Sequence, residues 1–292
     1  MYKNKPKTIT QSQDPYYIPT RSQHTLNVVI LGGTRGLGAA LVNKFYEQDH
    51  NVLFTSRTRE NIRISLETLK YNSSAKAIGI ASDVSCLQGV MHLKEQVTNY
   101  MPDGVDIWVV NAAVSDGNTP FVEHSYEKIQ EIVKTNLMGN ALVVKLALEL
   151  TTNTCNNNMM HIFNIAGAGS NGAGTPDFSL YGSTKAGVSQ LTKSLRHELK
   201  DNKSVGLHII SPGMMPTELL SANASLVKKR IFNIICEHPD VVAAFIYTNM
   251  MRVVDNDEKE STITYLGVPR ILYHLATFHK RMNRFYNTDE KQ

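Results

Sequence analysis

Residues 26–292 predict one α/β domain: a doubly wound parallel sheet with helices on both faces and a small helical lid late in the chain. Three observations carry this. Short apolar runs alternate with helix-length stretches through residue 210, the order of a chain of βαβ units. The runs are apolar throughout, not at every second residue, as strands buried on both faces are. A glycine-rich turn joins the first run to the first helix, where open sheets of this kind bind nucleotides.

The elements follow in order. Residues 26–31 are the first strand and 39–46 its helix. A second strand fits 51–55, with a helix over 59–71. Residues 77–81 read as the third strand and 86–100 as a helix. The fourth strand is 107–110, and one long helix is expected over 125–151. The fifth strand is 160–165 and the sixth 206–210. Residues 1–25 are polar, carry Pro6, Pro15 and Pro19, and read as a flexible leader or as the remnant of a cleaved targeting peptide. The asparagine-rich stretch 153–158 reads as a loop.

Composition narrows the class. Of 292 residues, 42% are hydrophobic and 19% charged, a globular balance that needs no disulfides to close a core. Cys86, Cys155 and Cys236 are odd in number and far apart, which excludes a disulfide framework and a CxxC metal motif. The net charge of +4 is unclustered and argues against nucleic acid as a partner. No run reaches the roughly 18–20 apolar residues of a membrane span; Lys145 breaks the best one. The histidines show no metal-ligand spacing.

The turn reads Gly32-Gly33-Thr34-Arg35-Gly36-Leu37-Gly38. Glycines let the backbone approach a pyrophosphate, and the helix start offers free N–H groups and a positive dipole end. This is the cofactor site of a Rossmann-type fold. After the second strand an acidic residue would select NAD. This chain has Arg57, whose planar fork suits a 2′-phosphate. Arg35 points the same way, so the expected cofactor is NADP(H).

Tyr181 and Lys185 are four residues apart on one helix and share a face. A phenol is a poor acid–base group near neutrality unless a nearby cation lowers its pKa. The spacing predicts that Lys185 does so.

Taken in order, the markers are the glycine turn, Asp83-Val84, Asn111-Ala112-Ala113, Asn136, Tyr181 with Lys185, and Ser211-Pro212-Gly213. Together they resemble the short-chain dehydrogenase/reductase family, over residues 26–220. The resemblance implies Tyr181 as proton donor and Lys185 as a ligand of the nicotinamide ribose. It implies Asn136 as holder of a relay water, Asp83 and Val84 at the adenine, and Asn111 with Ala112 beside the cofactor. Pro212 and Gly213 close the cofactor set. The family also places a catalytic serine after the fifth strand. Here Gly167 or Ala168 stands there, without a hydroxyl, and Ser170 is the nearest candidate.

The runs His161-Ile162-Phe163-Asn164-Ile165 and Gly167-Ala168-Gly169-Ser170 resemble chlorophyll(ide) b reductases. So do Thr217-Glu218-Leu219-Leu220 and Phe232-Asn233-Ile234-Ile235-Cys236-Glu237. The plant enzymes carry an acidic residue where this chain has Ala166. The likeness is to the branch without membrane spans. It implies a chlorophyll-like apolar substrate and a chloroplast location, in the stroma or on the thylakoid surface, with the cytoplasm as the alternative. It further implies a homo-oligomer or pairing with a homologous reductase. Met214, Met215, Leu219, Leu220, Met250 and Met251 fall in the expected lid, 214–254, and would suit a large greasy ligand. Residues 273–286 read as a basic amphipathic helix able to lie on a membrane surface. Three functions follow: formyl reduction on a chlorophyll, reduction of another apolar carbonyl, or a non-catalytic pigment-binding subunit.

Overall fold

A computed structural model describes residues 7–9, 24–69, 74–151 and 159–288. Among the described residues eight strands form one sheet: β1 (Lys7–Ile9), β2 (Asn27–Leu31), β3 (Asn51–Ser56), β4 (Ala77–Ala81), β5 (Ile107–Val110), β6 (Met160–Ile165), β7 (Val205–Ser211) and β8 (Glu260–Thr264). Their spatial order is β1-β8-β7-β6-β5-β2-β3-β4, and every pairing is parallel. The order reverses between β2 and β5. At such a switch point the loops leave in opposite directions and open a crevice beyond the carboxyl ends of the strands.

Both sheet faces are covered. Val28 and Ile30 enter one core with Leu41 and Phe45 of α1 (Gly36–Glu47). Val29 and Leu31 enter the other with Leu93 of α3 (Leu87–Tyr100) and Val143 of α5 (Asn140–Leu150). That is why these strands read as unbroken apolar runs. Local chemistry sets the helix starts. Thr58 caps α2 (Arg59–Glu67) by accepting from the Asn61 N–H, and Ser125 caps α4 (Tyr126–Val133) by accepting from Lys128.

Several expectations are corrected. Within the expected leader, Lys7–Ile9 is an edge strand paired with β8, and Ile9 is buried; residues 1–6 and 10–23 lie outside the described residues. The second helix stops at Glu67, before the expected residue 71. The loop expected at 153–158 is also outside them. The single long helix over 125–151 is interrupted by a π turn, Lys134–Gly139, between α4 and α5. Such turns insert a residue into the helical ladder and recur at functional sites. Gly139 lets this one pack on the Val84 carbonyl, where a Cβ would come within 2.8 Å.

The expected lid is too long. The helix α9 (Pro239–Asp255) is core: Val242, Ile246, Met250, Met251 and Val253 are fully buried against the α1 side of the sheet. Each such side chain contributes roughly 1.5–3 kcal/mol of burial. Of the helices in the expected lid, that leaves α7 (Glu218–Ser221) and α8 (Leu226–Ile235) outside this core helix. The amphipathic helix expected at 273–286 is corrected too. The α10 helix (Val268–Ala276) ends before Thr277, and the following turns dock on α8. Arg281 and Arg284 donate to Glu237, and Asn233 accepts from the Phe285 and Tyr286 N–H groups. Among the described residues no helix is long and apolar enough to cross a membrane.

Candidate active site

The glycine turn is built tightly onto β3 and β5. The Gly32 N–H donates to Thr55 Oγ1 at 3.1 Å and the Gly33 N–H to the Thr55 carbonyl at 2.9 Å. Asn111 donates its side-chain amide to the carbonyls of Leu31 and Gly32, at 3.2 and 3.0 Å. A Cβ at Gly38 would fall 2.0 Å from the Gly32 carbonyl, so α1 can close on the turn only with glycine there. Gly36 has φ +54°, which favours glycine. The N-cap of α1, Arg35, makes no side-chain capping hydrogen bond, and a helix N-terminus of this kind suits an anion. Leu37 is buried beneath the turn, Ala112 packs on Gly32, and Thr34 donates to Ser56 Oγ. These features fit the pyrophosphate of a dinucleotide.

Arg57 follows β3, half-exposed, and forms an ion pair with Glu131 at 3.0 Å. Lys128 reaches the same carboxylate at 2.7 Å. Together, Lys128 first and Arg57 second among its charged partners, they hold the Glu131 carboxyl below its usual range. The sequence did not show this partner. Asp83 accepts from the Ser85 N–H, and Val84 is buried beside the π turn.

Tyr181 and Lys185 lie in α6 (Ser179–Glu198). The helix is bolted in register by buried amides: Asn140 donates to Asn164 on β6, and Asn164 donates to Thr192. Lys185 is buried, and its Nζ donates to the Ile165 carbonyl at 2.9 Å. It lies 5.7 Å from the centre of the Tyr181 ring. Burial pushes the Lys185 ammonium down to about 8 and the Tyr181 phenol up. This corrects the expectation that the lysine lowers the tyrosine. Desolvation is the cause at both groups and favours the neutral form of each.

Asn136, in the π turn, donates to the Val114 carbonyl and to Thr184 Oγ1 and accepts from the Val114 N–H. Its side chain thus braces the loop after β5 against the Tyr–Lys helix.

At the carboxyl end of β6, a Cβ on Gly167 would lie 2.5 Å from the Tyr181 hydroxyl. Ser170 Oγ accepts from the Gly167 N–H at 2.9 Å and donates to the Lys185 carbonyl at 3.5 Å. Both partners are backbone, so its observed contacts shape the turn that carries Gly167. Gly167→Ala is expected to fold normally and to lower kcat at least tenfold, because its methyl group must displace the phenol and small misplacements are costly. Steady-state kinetics beside a Tm measurement check this; unchanged kcat would refute the tight fit.

Pro212 is buried after β7, and Gly213 turns at φ +77° against Leu266. The Thr217 methyl lies over the glycine turn, 3.2 Å from a Cβ on Gly36. Ser115, Asp116, His124, Asp177 and Phe178 are among the residues around a tight depression beside Tyr181. Asn118 donates to the Leu220 and Ala222 carbonyls, and Lys228 of α8 pairs with Asp177 at 2.7 Å. Sequence reasoning missed Asp116, His124, Asp177 and Lys228. Asp177 and Lys228 are far in the chain from Asp116 and His124, the four follow no motif spacing, and only the fold gathers them. Among the described residues no three His, Cys, Asp or Glu side chains cluster as a metal site.

Known proteins share this framework. The short chain dehydrogenase family matches residues 26–226. The probable chlorophyll(ide) b reductase NYC1 of Arabidopsis thaliana is 38% identical over 89% of this chain, which spans about half (54%) of that relative's length. The chlorophyll(ide) b reductase NOL of Oryza sativa subsp. japonica is 34% identical over 90% of this chain and 78% of its own length. A metagenomic short-chain oxidoreductase in complex with NADP superposes with a TM-score of 0.65 at 21% identity, covering 84% of this chain and 99% of that one. The alcohol dehydrogenase of Thermococcus sibiricus, complexed with 5-hydroxy-NADP, gives 0.70 at 18% identity, over 84% and 97%. With the glycine turn, the Tyr–Lys helix and the parallel sheet of the described residues in place, the chain belongs to the short-chain dehydrogenase/reductase family.

Proposed function

We propose that the chain is an NADPH-dependent reductase of the formyl group of chlorophyll b or chlorophyllide b. The observation that carries the reaction is the Tyr181–Lys185 pair, packed side by side at the carboxyl end of β6, with the phenol against Gly167 and the ammonium on the Ile165 carbonyl. The substrate class rests on the likeness to reductases of that name over nine-tenths of the chain.

The residues divide the work. Gly32, Thr34, Gly36, Leu37 and Gly38 cradle the pyrophosphate, with Asn111 and Ala112 bracing the turn. Asp83 and Val84 face the adenine, and Pro212 and Gly213 border the nicotinamide. When bound, the cofactor supplies the hydride. Tyr181 gives its proton to the formyl oxygen as charge develops there. Its raised pKa keeps it protonated at neutral pH, the form that reduction needs. Lys185 holds the ribose and places a positive charge near the phenol. Asn136 fixes the loop at Val114 and orders a relay water. Ser170 holds the Gly167 turn under the phenol as a positioning residue, so the oxyanion receives its main hydrogen bond from Tyr181.

The depression beside Tyr181 is too tight to admit a water molecule, far from the roughly 300–1,000 Å³ of ordinary ligand pockets. A tetrapyrrole therefore enters with α7 and α8 lifted, breaking the Lys228–Asp177 pair. Chloroplast location, on the stromal side or the thylakoid surface, and assembly with itself or a homologous reductase belong to the same proposal; four relatives carry chloroplastic names.

Arg57 and Arg35 bind the 2′-phosphate, with Arg57 exchanging Glu131 for it. Arg57→Ala is expected to weaken NADPH about tenfold or more, the scale of one charge-assisted hydrogen bond, and NADH little. Nucleotide fluorescence titration measures both. Equal weakening of the two would refute the assignment.

A further inference from the structure

Resting on the reading of Arg57 as a ligand of the cofactor's 2′-phosphate, we propose that Lys128 and Glu131 of α4 complete that subsite and set its selectivity. Glu131 holds the place that the phosphate takes, and Lys128 joins Arg57 on the phosphate once the carboxylate is displaced. The geometry is that of a bridged anion. One Glu131 oxygen accepts from Arg57 at 3.0 Å and the other from Lys128 at 2.7 Å. The two cations come from different elements, Arg57 from the end of β3 and Lys128 from the first turn of α4, and converge within the span of one carboxylate. A phosphate monoester brings three acceptor oxygens and close to two negative charges, so it is the stronger ligand for the same pair. All three side chains are a third to a half exposed, so they can change partners without opening the core.

The backbone around the three side chains is held from both sides. Ser56, the residue before Arg57, is buried; its hydroxyl accepts from Thr34 of the glycine turn at 3.2 Å and its carbonyl from the Ser82 N–H at 2.9 Å. Arg57 therefore leaves the sheet between the pyrophosphate turn and the end of β4. Ser125 caps α4 through the Lys128 N–H at 3.1 Å, and the π turn that continues α4 packs Gly139 on the Val84 carbonyl. Glu131 thus stands on the same rim as the residues given to the adenine. NADPH must take Arg57 and Lys128 from Glu131, and the displaced carboxylate, still close, repels the phosphate. NADH brings no charge to this point and leaves the three side chains paired. The charge on Glu131 therefore works against NADPH alone, and the charge on Lys128 works for it.

The test is binding to the full chain, without turnover, of four nucleotides: NADPH, NADH, adenosine 2′,5′-bisphosphate and 5′-AMP. Kd is read from fluorescence titration for the first two and from the ligand-induced rise in Tm for the last two. Each pair differs by the 2′-phosphate alone. Glu131→Gln is expected to tighten NADPH and the bisphosphate about three- to fivefold, the scale of releasing an exposed ion pair, with NADH and AMP unchanged. Lys128→Met is expected to weaken the same two about fivefold and again to spare the others. In an Arg57→Ala background the gain from Glu131→Gln should shrink, because the two side chains are coupled. A role of Glu131 in structure alone would move all four ligands together, and that result overturns the proposal. So does an unchanged or reduced preference for NADPH in a Glu131→Gln variant whose Tm matches the wild type, or an unchanged preference in Lys128→Met. A wild type that binds the bisphosphate no better than AMP refutes the reading of Arg57 itself, and the proposal with it.

Discussion

Tyr181→Phe is expected to abolish carbonyl reduction, by about 10²–10⁴-fold in kcat, the usual contribution of a positioned acid, while NADPH binds nearly as before. The argument is geometric. The phenol lies against Gly167, where a Cβ would be only 2.5 Å from its oxygen. The ring packs edge-on to Phe178 at 6.2 Å. Phenylalanine keeps that packing and loses only the proton. The usual serine hydroxyl is missing, and Ser170 makes its observed contacts to backbone. A second donor is therefore poorly placed to compensate. Stopped-flow or steady-state assays beside a nucleotide titration separate the two effects. Substantial turnover in the phenylalanine variant would mean that another group protonates the substrate.

Lys185→Met is expected to do two opposite things. Activity should fall by about 10²–10³-fold, the scale of a lost electrostatic contact at a reacting group, and NADPH affinity should fall with it. Stability at pH 7 should rise. In the unfolded chain the ammonium persists to its ordinary value of 10.5, whereas in the fold burial lowers this to about 8. Between those values the unfolded chain binds more protons, so stability of the wild type increases with pH there. Below about 8 the cost of the buried charge is present in full. Removing it should stabilise by on the order of 2 kcal/mol, after discounting the lost hydrogen bond to Ile165. That is a Tm increase of about 4–8 °C for a domain of this size. The gain should shrink as pH approaches 10. A variant less stable than wild type at pH 7 would show that the lysine is a structural tie rather than a strained functional group.

Much of this was legible in the sequence, for identifiable reasons. Strands buried on both faces must be apolar at every position, so β2, β3, β5 and β6 announced themselves. The glycine turn was readable because close backbone approach permits no other residue at Gly38. The Tyr–Lys pair was readable because it is local, one helical turn apart. What escaped depends on distant segments meeting. The β1 strand has three described residues and exists through its pairing with β8. The α9 helix carries methionines that suit either a lid or a core, and only its packing beside α1 decides. Arg281 and Arg284 look like a basic surface in sequence, yet both point at Glu237. The balance of desolvation and charge at Tyr181 and Lys185 is a property of the enclosure around them, which no spacing reveals. The Asp116–His124 pair sits in a loop whose course is set by Asn118 and the carbonyls of residues 220 and 222.

The most direct test is incubation of the purified chain with NADPH and chlorophyll b, followed by pigment chromatography. The account expects a hydroxymethyl product that accumulates with NADPH, forms more slowly with NADH, and is absent with Tyr181→Phe. Unchanged chlorophyll b, under conditions where NADPH is shown to bind, would contradict it.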